Sequence, residues 1–384
     1  MRHRLPRNLA KAEQSWTKQA GDLHNALQHG QSPFQSDTKP STGAKSLTTL
    51  SRYSPDVAHS FSPNAGADSL TAGQLRRELN LRAEGWARAH ALVYDVSPGA
   101  PTSIVFGRDA AGVHGNFHPA AWPRIVAQPD WALRLDKPHT ASRRSVARKD
   151  WRWRELDAAT SSDALLMNLF CHPGVFQGAE LSRPVAALLG VDRAAQPRFG
   201  ACPGVPLAQP LKPRSKRAAP REAFDRTEID LVLSGPTTTL FLEAKLTESD
   251  FQTAALSQAL RYRDLEAVFD VDRLPRRHIA PPPLPENVDP DDPTVNLPAR
   301  TTRERVAGYQ LIRNILAAHA AQAGFCLLLD ARRRDLLDAW YAVLSAVRSL
   351  SFATRLRVLA WQELAAIVPA DLQQFLATKY GILP

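Results

Sequence analysis

Two short apolar strands joined by a tight turn constrain the fold of this chain more than any other stretch of its sequence. They lie in RTEIDLVLSGPTTTLFLEAKLTESDF, from Arg226 to Phe251, and a Ser-Gly-Pro-Thr turn separates them. Both strands carry carboxylates among their apolar residues, and the second also carries a lysine. Charged side chains are costly to remove from water unless they are paired or bind a metal. The hairpin is therefore both a folding unit and a candidate functional site.

The pattern of the hairpin predicts which charges face each other. Side chains two apart on a strand share a face, so Glu228 lies beside Asp230 and Glu243 lies beside Lys245. If the hairpin closes symmetrically around its Pro-Thr dipeptide, Asp230 lies opposite Glu243, and Glu228 lies opposite Lys245. Carboxylate oxygens suit Mg²⁺, and a lysine beside them can stabilise charge on a phosphodiester. The alternative is a structural ion pair on a half-exposed hairpin.

Asp230, a thirteen-residue step and then Glu243-Ala244-Lys245 resemble the signature of the PD-(D/E)xK nuclease superfamily. The resemblance implies an α/β, restriction-endonuclease-like fold, with a mixed central sheet flanked by helices, over about residues 160–384. It also implies a DNA nuclease, expected to be an endonuclease, that depends on Mg²⁺ or Mn²⁺. Asp230 and Glu243 would be metal ligands and Lys245 the water-positioning base. Ile229 stands where the motif of the superfamily has a proline.

Other stretches resemble a bacterial, largely uncharacterised branch of restriction-endonuclease-like proteins. They are HGNFHP, ELDAATSSDALLMNLFCHPG, YQLIRN and FLATKYGI, and they extend the resemblance from about residue 95 to the end of the sequence. A nucleic-acid-binding protein with a catalytically degenerate nuclease domain stays open as the alternative. The complete set of Asp230, Glu243 and Lys245 argues against degeneracy.

Many nucleases of this kind place an additional acid on their first helix, and two acids qualify for that position. Asp163, which we predict as the third metal ligand, follows serines at a helix start, and Glu180 lies in FQGAELSRP. The helix dipole alone also explains an acid at the position of Asp163. Gln258 and Tyr262 form a Q-x-x-x-Y step after the hairpin, similar to a motif of recombination-type members, and Gln310 in YQLIRN is a rival for that role.

The chain carries a formal net charge of +10, which favours an acidic partner, and nucleic acid is the commonest one. Nine basic residues lie between Arg124 and Arg154, with Trp122, Trp131, Trp151 and Trp153 in or beside the run. Basic side chains neutralise phosphates, and exposed aromatic rings stack on bases. We predict DNA contacts by Arg143, Arg144, Lys149 and Arg152. A second basic segment, Lys212–Arg221, either touches the DNA backbone or is a disordered surface loop. The alternative is a solvated basic surface whose tryptophans lie in the core.

The order of the sequence patterns predicts three regions. Residues 1–70 are a flexible polar arm, residues 71–158 form an accessory region with the basic run, and residues 159–384 form the nuclease domain, with a Pro-rich insertion at 280–298. Helices are predicted over residues 75–92, from Ser161, over TESDFQTAALSQALRYRDLEAVF, over RERVAGYQLIRNILAAHAAQA and near the end. GFCLLLD and RLRVLAW are predicted strands. Strands that alternate with helices indicate parallel pairing.

Several classes of protein and of site are not predicted. No run of 18 apolar residues indicates a transmembrane helix, and the N-terminus lacks the apolar core of a secretory signal, so we expect a cytoplasmic protein. Three cysteines are too few for a disulfide framework. Neither His114-x-x-x-His118 nor Cys171-His172 has the spacing of a zinc site, and no Gly-rich loop indicates a nucleotide cofactor. The resemblance implies a homodimer if both strands of a duplex are cut.

Overall fold

The computed structural model describes residues 69–97, 101–138, 154–210, 222–280 and 303–384. Some predictions fall outside these described residues. They are the polar arm up to residue 68, the basic segment Lys212–Arg221, the Pro-rich insertion from residue 281, and the four predicted DNA contacts Arg143, Arg144, Lys149 and Arg152. The division at residue 158 stays a prediction.

Strands and helices follow one another in groups along the described chain, and six strands, β5 to β10, come without a helix between them. The strands are β1 Tyr94–Val96, β2 Ile104–Phe106, β3 Phe176–Gln177, β4 Glu180–Leu181, β5 Gln196–Ala201, β6 Gly204–Pro206, β7 Phe224–Arg226, β8 Ile229–Ser234, β9 Thr239–Ala244, β10 Thr253–Ala254, β11 Arg276–Ile279, β12 Arg303–Ala307, β13 Gly324–Leu329 and β14 Leu356–Ala360. The helices are α1 Ala72–Ala89, α2 Trp122–Ala127, α3 Pro129–Ala132, α4 Ser162–Phe170, α5 Arg183–Leu189, α6 Leu256–Ala259, α7 Leu265–Val268, α8 Tyr309–Ala320, α9 Arg334–Leu344, α10 Leu350–Ala353, α11 Trp361–Ala365 and α12 Ala370–Phe375. Short 3₁₀ turns occupy Leu133–Asp136, Glu155–Asp157 and Val271–Arg273, and a π-helical turn occupies Leu376–Tyr380.

A five-stranded mixed sheet forms the centre of the described structure. Its strand order is β14-β13-β9-β8-β5. β9, β13 and β14 run parallel, whereas β8 is antiparallel to both of its neighbours, β9 and β5. β9 and β13 are buried from their second residue to their last, as expected of strands that are covered on both faces. The expected α/β fold with a mixed central sheet flanked by helices is confirmed.

The hairpin of β8 and β9 pairs in the predicted register. Leu231 lies opposite Leu242. The N–H of Gly235 donates to the carbonyl of Thr238 at 2.8 Å and closes the turn. One further step of the same register brings Asp230, at the start of β8, opposite the end of β9.

Two helices, α4 and α8, pack against the five-stranded sheet. All nine residues of α4 are buried, and the Ser161 hydroxyl caps this helix by accepting from the N–H of Ala164 at 3.1 Å. A helix that is apolar nearly all round is typical of one surrounded by protein. α8 begins after Gly308, whose φ of 69° lies in the left-handed region that favours glycine. α4 contacts β9, and α8 contacts β13.

The prediction of one long helix after the hairpin is wrong. That stretch forms β10 and two short helices, α6 and α7. Residues 303–307, predicted as the first turn of a helix, form β12, which pairs with both β10 and β11. Pairing with strands that are distant in sequence outweighs the local helical pattern in both places.

Cys171, Cys202 and Cys326 are all free thiols, and two of them are buried. In the part of the chain that the structure describes, no helix has both the length and the apolar character needed to span a bilayer.

Candidate functional site

The hairpin charges lie at one edge of the five-stranded sheet. β9 ends there at Ala244, and the antiparallel β8 begins there at Ile229. α4 brings Asp163, in its first turn, to within ligand-sharing distance of Asp230. In sheets with parallel strands, ligands commonly bind at the carboxyl ends of those strands. This edge is therefore the candidate site.

Glu243 is buried, and three side chains hold its carboxylate. The Lys245 Nζ lies 2.8 Å from Oε1, and the Gln310 Nε2 donates to the same oxygen at 2.6 Å. The Asn314 Nδ2 donates to Oε2 at 2.8 Å, and the hydroxyl of Thr227 fixes Asn314 by donating to its Oδ1 at 2.6 Å. Burial raises the pKa of Glu243, although Lys245 opposes the shift. Because both oxygens are held, the carboxylate has a fixed orientation.

Asp230 is surrounded by other carboxylates. Its Oδ2 accepts a hydrogen bond from the N–H of Ala244 at 2.9 Å. Burial raises the pKa of Asp230 well above its ordinary value, and the charges of Glu243 and Asp163 raise it further. Like charges this close disfavour ionisation until a cation offsets them. Perturbed carboxyl groups of this kind are concentrated at functional sites.

Asp163 and Glu228 share two cations. The Arg134 Nη2 lies 3.0 Å from Asp163 Oδ2 and 2.6 Å from Glu228 Oε1. The Lys137 Nζ lies 2.6 Å and 2.9 Å from the same two oxygens. Although burial opposes ionisation, these cations hold the pKa of both carboxyl groups below their ordinary values. Glu228 thus forms its ion pairs with Arg134 and Lys137, whereas the hairpin register predicted Lys245 as its neighbour.

Lys245 is a buried ammonium. Although burial disfavours the charge, Glu243, Glu248 and Asp230 raise the pKa of Lys245 above its ordinary value. Its Nζ also lies 5.9 Å from the centre of the Phe251 ring. An ammonium has three donors and cannot accept a proton. Such a group can hold a water or neutralise developing charge. The predicted role of Lys245 in positioning water therefore fits this environment, whereas a role as a base does not.

Gln310, and not Gln258, is the glutamine that reaches the site. Gln258 is exposed on α6. The hydroxyl of Tyr262 lies 2.7 Å from that of Tyr309, the residue before Gln310. Tyr262 therefore supports α8. The rival considered in YQLIRN is therefore the one in contact with Glu243.

The sequence did not reveal two further acids beside the site. Glu248 accepts from the Leu246 N–H at 2.7 Å and from the Ser162 hydroxyl at 2.9 Å. Burial raises the pKa of Glu155 to about 7, and the charge of Asp163 adds to the shift. Glu155 begins the stretch ELDAATSSDALLMNLFCHPG and lies in the 3₁₀ turn before α4, whereas Glu248 reaches the site through its contact with Ser162 of α4.

Part of the basic, tryptophan-containing run has a structural role. Trp122 and Trp131 are buried in the core, so the core alternative applies to both. Arg124 donates to the carbonyls of Cys171 and Phe176 and lies against the Trp131 ring. These three side chains are therefore not available to nucleic acid.

Three carboxylates form what we call the acid cluster, Asp163, Glu228 and Asp230. Each offers an oxygen within 4.8 Å of the other two. Oxygen donors in this number suit Mg²⁺ or Mn²⁺. Burial raises the pKa of Asp230 most, and a divalent cation would offset the smaller contribution of the neighbouring carboxylates. The predicted ligands Asp163 and Asp230 belong to the cluster, and Glu243 is adjacent to Asp230. Glu180 lies elsewhere, in an exposed ion pair.

A second group of potential ligands, His118, His172 and Asp371, has the wrong proton positions for a metal site. The Nδ1 of His118 accepts from the N–H of Ala120, and that of His172 accepts from the N–H of Gly174, both at 3.1 Å. A backbone N–H only donates, so in each neutral ring the proton resides on Nε2, the nitrogen that faces Asp371. The Nε2 of His172 thus donates to Asp371 at 3.1 Å, the Nε2 of His118 lies 3.9 Å from the same carboxylate, and the group joins three segments of the chain.

His114 repeats this arrangement and predicts a pH dependence of stability. Its Nδ1 accepts from the N–H of Asn116, and its Nε2 lies 3.0 Å from Asp157. Burial lowers the pKa of His114, with Asp157 opposing only in part. The unfolded chain takes up the proton below a pH of about 6.5 while the folded chain stays neutral, so stability falls as the pH is lowered through that value.

The measurement is the free energy of unfolding by urea at pH 7.5 and pH 5.5. We expect His114→Gln to reduce the loss between the two values by up to about 1 kcal/mol. His278→Gln, at an exposed histidine, is the matched control. An unchanged loss in His114→Gln would contradict the prediction.

Comparison with known families gives one match. The model of a family described as restriction endonuclease associating with ARP matches residues 83–381, more than half of the chain. No curated protein and no solved structure gives a significant match.

Proposed function

The chain belongs to the family described as restriction endonuclease associating with ARP, and we propose that it is a divalent-metal-dependent nuclease that hydrolyses phosphodiester bonds of DNA. The observation that supports this proposal most directly is the gathering of the acid cluster, Glu243 and Lys245 at one edge of the sheet. A structural ion pair needs one acid for one base. Four carboxylates from three segments of the chain meet three cations, Lys245, Arg134 and Lys137, and the negative charge left in excess matches a cation site.

In this proposal Asp163, Asp230 and Glu243 would hold Mg²⁺ or Mn²⁺. A bound divalent ion supplies the charge that activates a water and offsets the negative charge of the phosphodiester transition state. The protein contributes a rigid set of ligands, because Gln310 and Asn314 hold both oxygens of Glu243 and the Ala244 N–H holds Asp230. Preorganised ligands need no reorganisation during the reaction.

The Lys245 ammonium is assigned the positioning of the attacking water. Its contact with Glu243 at 2.8 Å uses one of three donors and keeps Nζ beside the carboxylates. Within the described residues the remaining donors have no hydrogen-bond acceptor, and they could hold a water or a phosphate oxygen. A proton released by the water needs another acceptor, since the ammonium cannot take it.

A second, basic sheet supports a nucleic-acid substrate. In the ladder of β11 and β12, Arg277 lies directly opposite Arg305, and Ile279 lies opposite Arg303, so three arginines share one face. Like charges placed opposite each other destabilise a strand pair. Asp250, 3.6 Å from Arg277, offsets part of the repulsion, and a further anion on that face would offset more of it. β12 leads directly into α8, which carries Gln310. A phosphodiester backbone is the anion that this surface fits.

The finer assignments rest on family membership and on the net charge of +10. We propose that cleavage is endonucleolytic, that the protein acts in the cytoplasm, and that it acts as a homodimer where both strands are cut. The family description names ARP as an associate, and we extend that association to this chain as a proposal.

Supercoiled plasmid DNA provides the test of the proposed activity. We expect nicking or linearisation with Mg²⁺ or Mn²⁺ and none with EDTA. Asp230→Asn keeps the side-chain volume but removes a charged ligand, so we expect it to lose both cleavage and the metal-induced rise in Tm. With a metal at 100 times its Kd, that rise corresponds to about 2.7 kcal/mol of stabilisation.

Two outcomes would count against the nuclease. Cleavage by Asp230→Asn at the wild-type rate would place the reaction elsewhere. A salt-sensitive gel shift without any cleavage would instead support a nucleic-acid-binding protein with a degenerate nuclease domain.

A further inference from the structure

The two cations that contact the acid cluster each bridge the same two carboxylates. Arg134 and Lys137 both approach Oδ2 of Asp163 and Oε1 of Glu228, and all four separations lie between 2.6 and 3.0 Å. Asp163 and Glu228 belong to the acid cluster, and Asp163 is also one of the proposed metal ligands. The protein's own cations therefore contact a carboxylate that a divalent ion would also contact.

The contact is built into the fold and is not an incidental surface pair. Only 10% of the Arg134 side chain is exposed, and Leu135, the next residue, is buried in the core. Gly200 has a φ of 61°, and a Cβ there would lie 2.2 Å from the Arg134 Nη1, so the glycine makes room for the guanidinium. The Arg134 Nε is buried and has no hydrogen-bond partner among the described residues. The fold thus makes room for the guanidinium of Arg134 but leaves its Nε without a hydrogen bond among the described residues.

A divalent ion and the basic pair compete for the same oxygens. When an ion takes Asp163, the guanidinium and the ammonium lose one of their two anionic partners and lie beside a new positive charge. Either repulsion then weakens metal binding, or the two side chains turn to another anion. Guanidinium and ammonium groups both bind phosphate well, and a phosphodiester is the anion that a nuclease brings to this edge.

We propose that Arg134 and Lys137 are a displaceable counter-ion pair that closes the acid cluster in the metal-free chain and binds the phosphate backbone of nucleic acid once a divalent cation has taken the carboxylates. This inference rests on the proposed function for the identity of the cation and the substrate. It makes metal binding and nucleic-acid binding positively coupled, and the coupling is reciprocal. Each of the two ligands, the divalent cation and the nucleic acid, then binds more tightly when the other is bound.

The first measurement is the affinity of the full chain for Mn²⁺ by calorimetry, without nucleic acid. We expect Arg134→Gln/Lys137→Gln to bind Mn²⁺ about tenfold more tightly than the wild type, because the internal competitor is gone. Arg154→Gln is the matched control, since it removes an ion pair at 2.9 Å to Asp136, in the same segment but with neither of the two acids. An affinity that is unchanged or weaker in the double variant would overturn the proposal.

The double variant leaves Asp163 buried without its cations, so its folding has to be secured. Lys137→Gln alone is the second variant, because a quarter of the Lys137 side chain is exposed and Arg134 still pairs with Asp163. We expect the same direction of change with a smaller gain. A gain in neither variant overturns the proposal.

The second measurement is the affinity for a labelled DNA duplex with and without Mn²⁺, in a Lys245→Met background that prevents cleavage. We expect Mn²⁺ to tighten binding at least about fivefold, and we expect removal of Arg134 and Lys137 to abolish that gain. The same gain with and without the pair would contradict the coupling.

Asp230→Asn separates failure of this inference from failure of the proposed function. If the wild type binds Mn²⁺, Asp230→Asn does not, and the double variant equals the wild type, the metal site stands and the counter-ion role fails. If no form of the chain binds Mn²⁺, both fail together.

Discussion

We expect replacement of Lys245 by methionine to lower the rate of the proposed metal-dependent plasmid cleavage by about 10³-fold, the size of effect seen when one preorganised donor to a transition state is removed. Methionine preserves much of the length of the side chain and its contact with Phe251, and removes only the charge and the donors. The loss falls on the chemical step, because Lys245 is buried beside Glu243 and not on a basic surface.

Binding measurements separate the proposed role of Lys245 from a structural one. A lysine that positions water leaves the carboxylates able to bind metal, so we expect Lys245→Met to keep Mn²⁺-induced thermal stabilisation. DNA affinity in EDTA should also stay within about twofold of the wild-type value, since one buried lysine adds little to a basic surface. Cleavage by Lys245→Met within threefold of the wild type would rule out the proposed role.

Replacement of Arg333 by alanine destabilises the protein by about 3 kcal/mol, the cost of opening a buried, hydrogen-bonded charge network. Arg333 is fully buried and donates to the carbonyls of Leu246 at 2.9 Å and Glu248 at 2.7 Å. It also forms a two-point pair with Asp335 at 2.8 Å. Truncation removes the arginine donor from the buried carbonyl of Leu246 and from the half-buried Glu248, and it leaves a cavity where the guanidinium lay.

The free energy of unfolding by urea measures this effect, and Arg334→Ala is the control. Arg334 is the neighbouring residue, partly exposed at the start of α9, and we expect its loss to change stability by less than about 0.5 kcal/mol. Since Arg333 holds the segment directly after Lys245, its loss should also reduce cleavage. Equal stability of the two variants would show that the network contributes nothing to folding.

The fold was largely predictable where its signals are local. The alternation of apolar residues and the Ser-Gly-Pro-Thr turn predicted β8, β9 and their register, because a hairpin depends on residues close in sequence. The apolar runs GFCLLLD and RLRVLAW predicted β13 and β14, since strands covered on both faces are continuously apolar. The serines before α4 predicted its start through a side-chain cap.

Predictions failed where distant strands compete for a segment. The residues after the hairpin have helical spacing, yet Thr253–Ala254 pairs with β12, and the helix is reduced to α6 and α7. Residues 303–307 lead into a real helix but pair with β11 and β10 first. Local propensity is weak compared with the hydrogen bonds and burial that a neighbouring strand supplies.

The candidate site also combines contacts that are local in sequence with contacts between distant segments. The sequence by itself determined that Asp230, Glu243 and Lys245 belong to one hairpin, because covalent connection and strand periodicity place them within a few residues of each other. Only the tertiary structure decided that Arg134 and Lys137 meet the acid cluster. They are nearly a hundred residues from Glu228, and no short motif records a contact that depends on the packing of two separate segments.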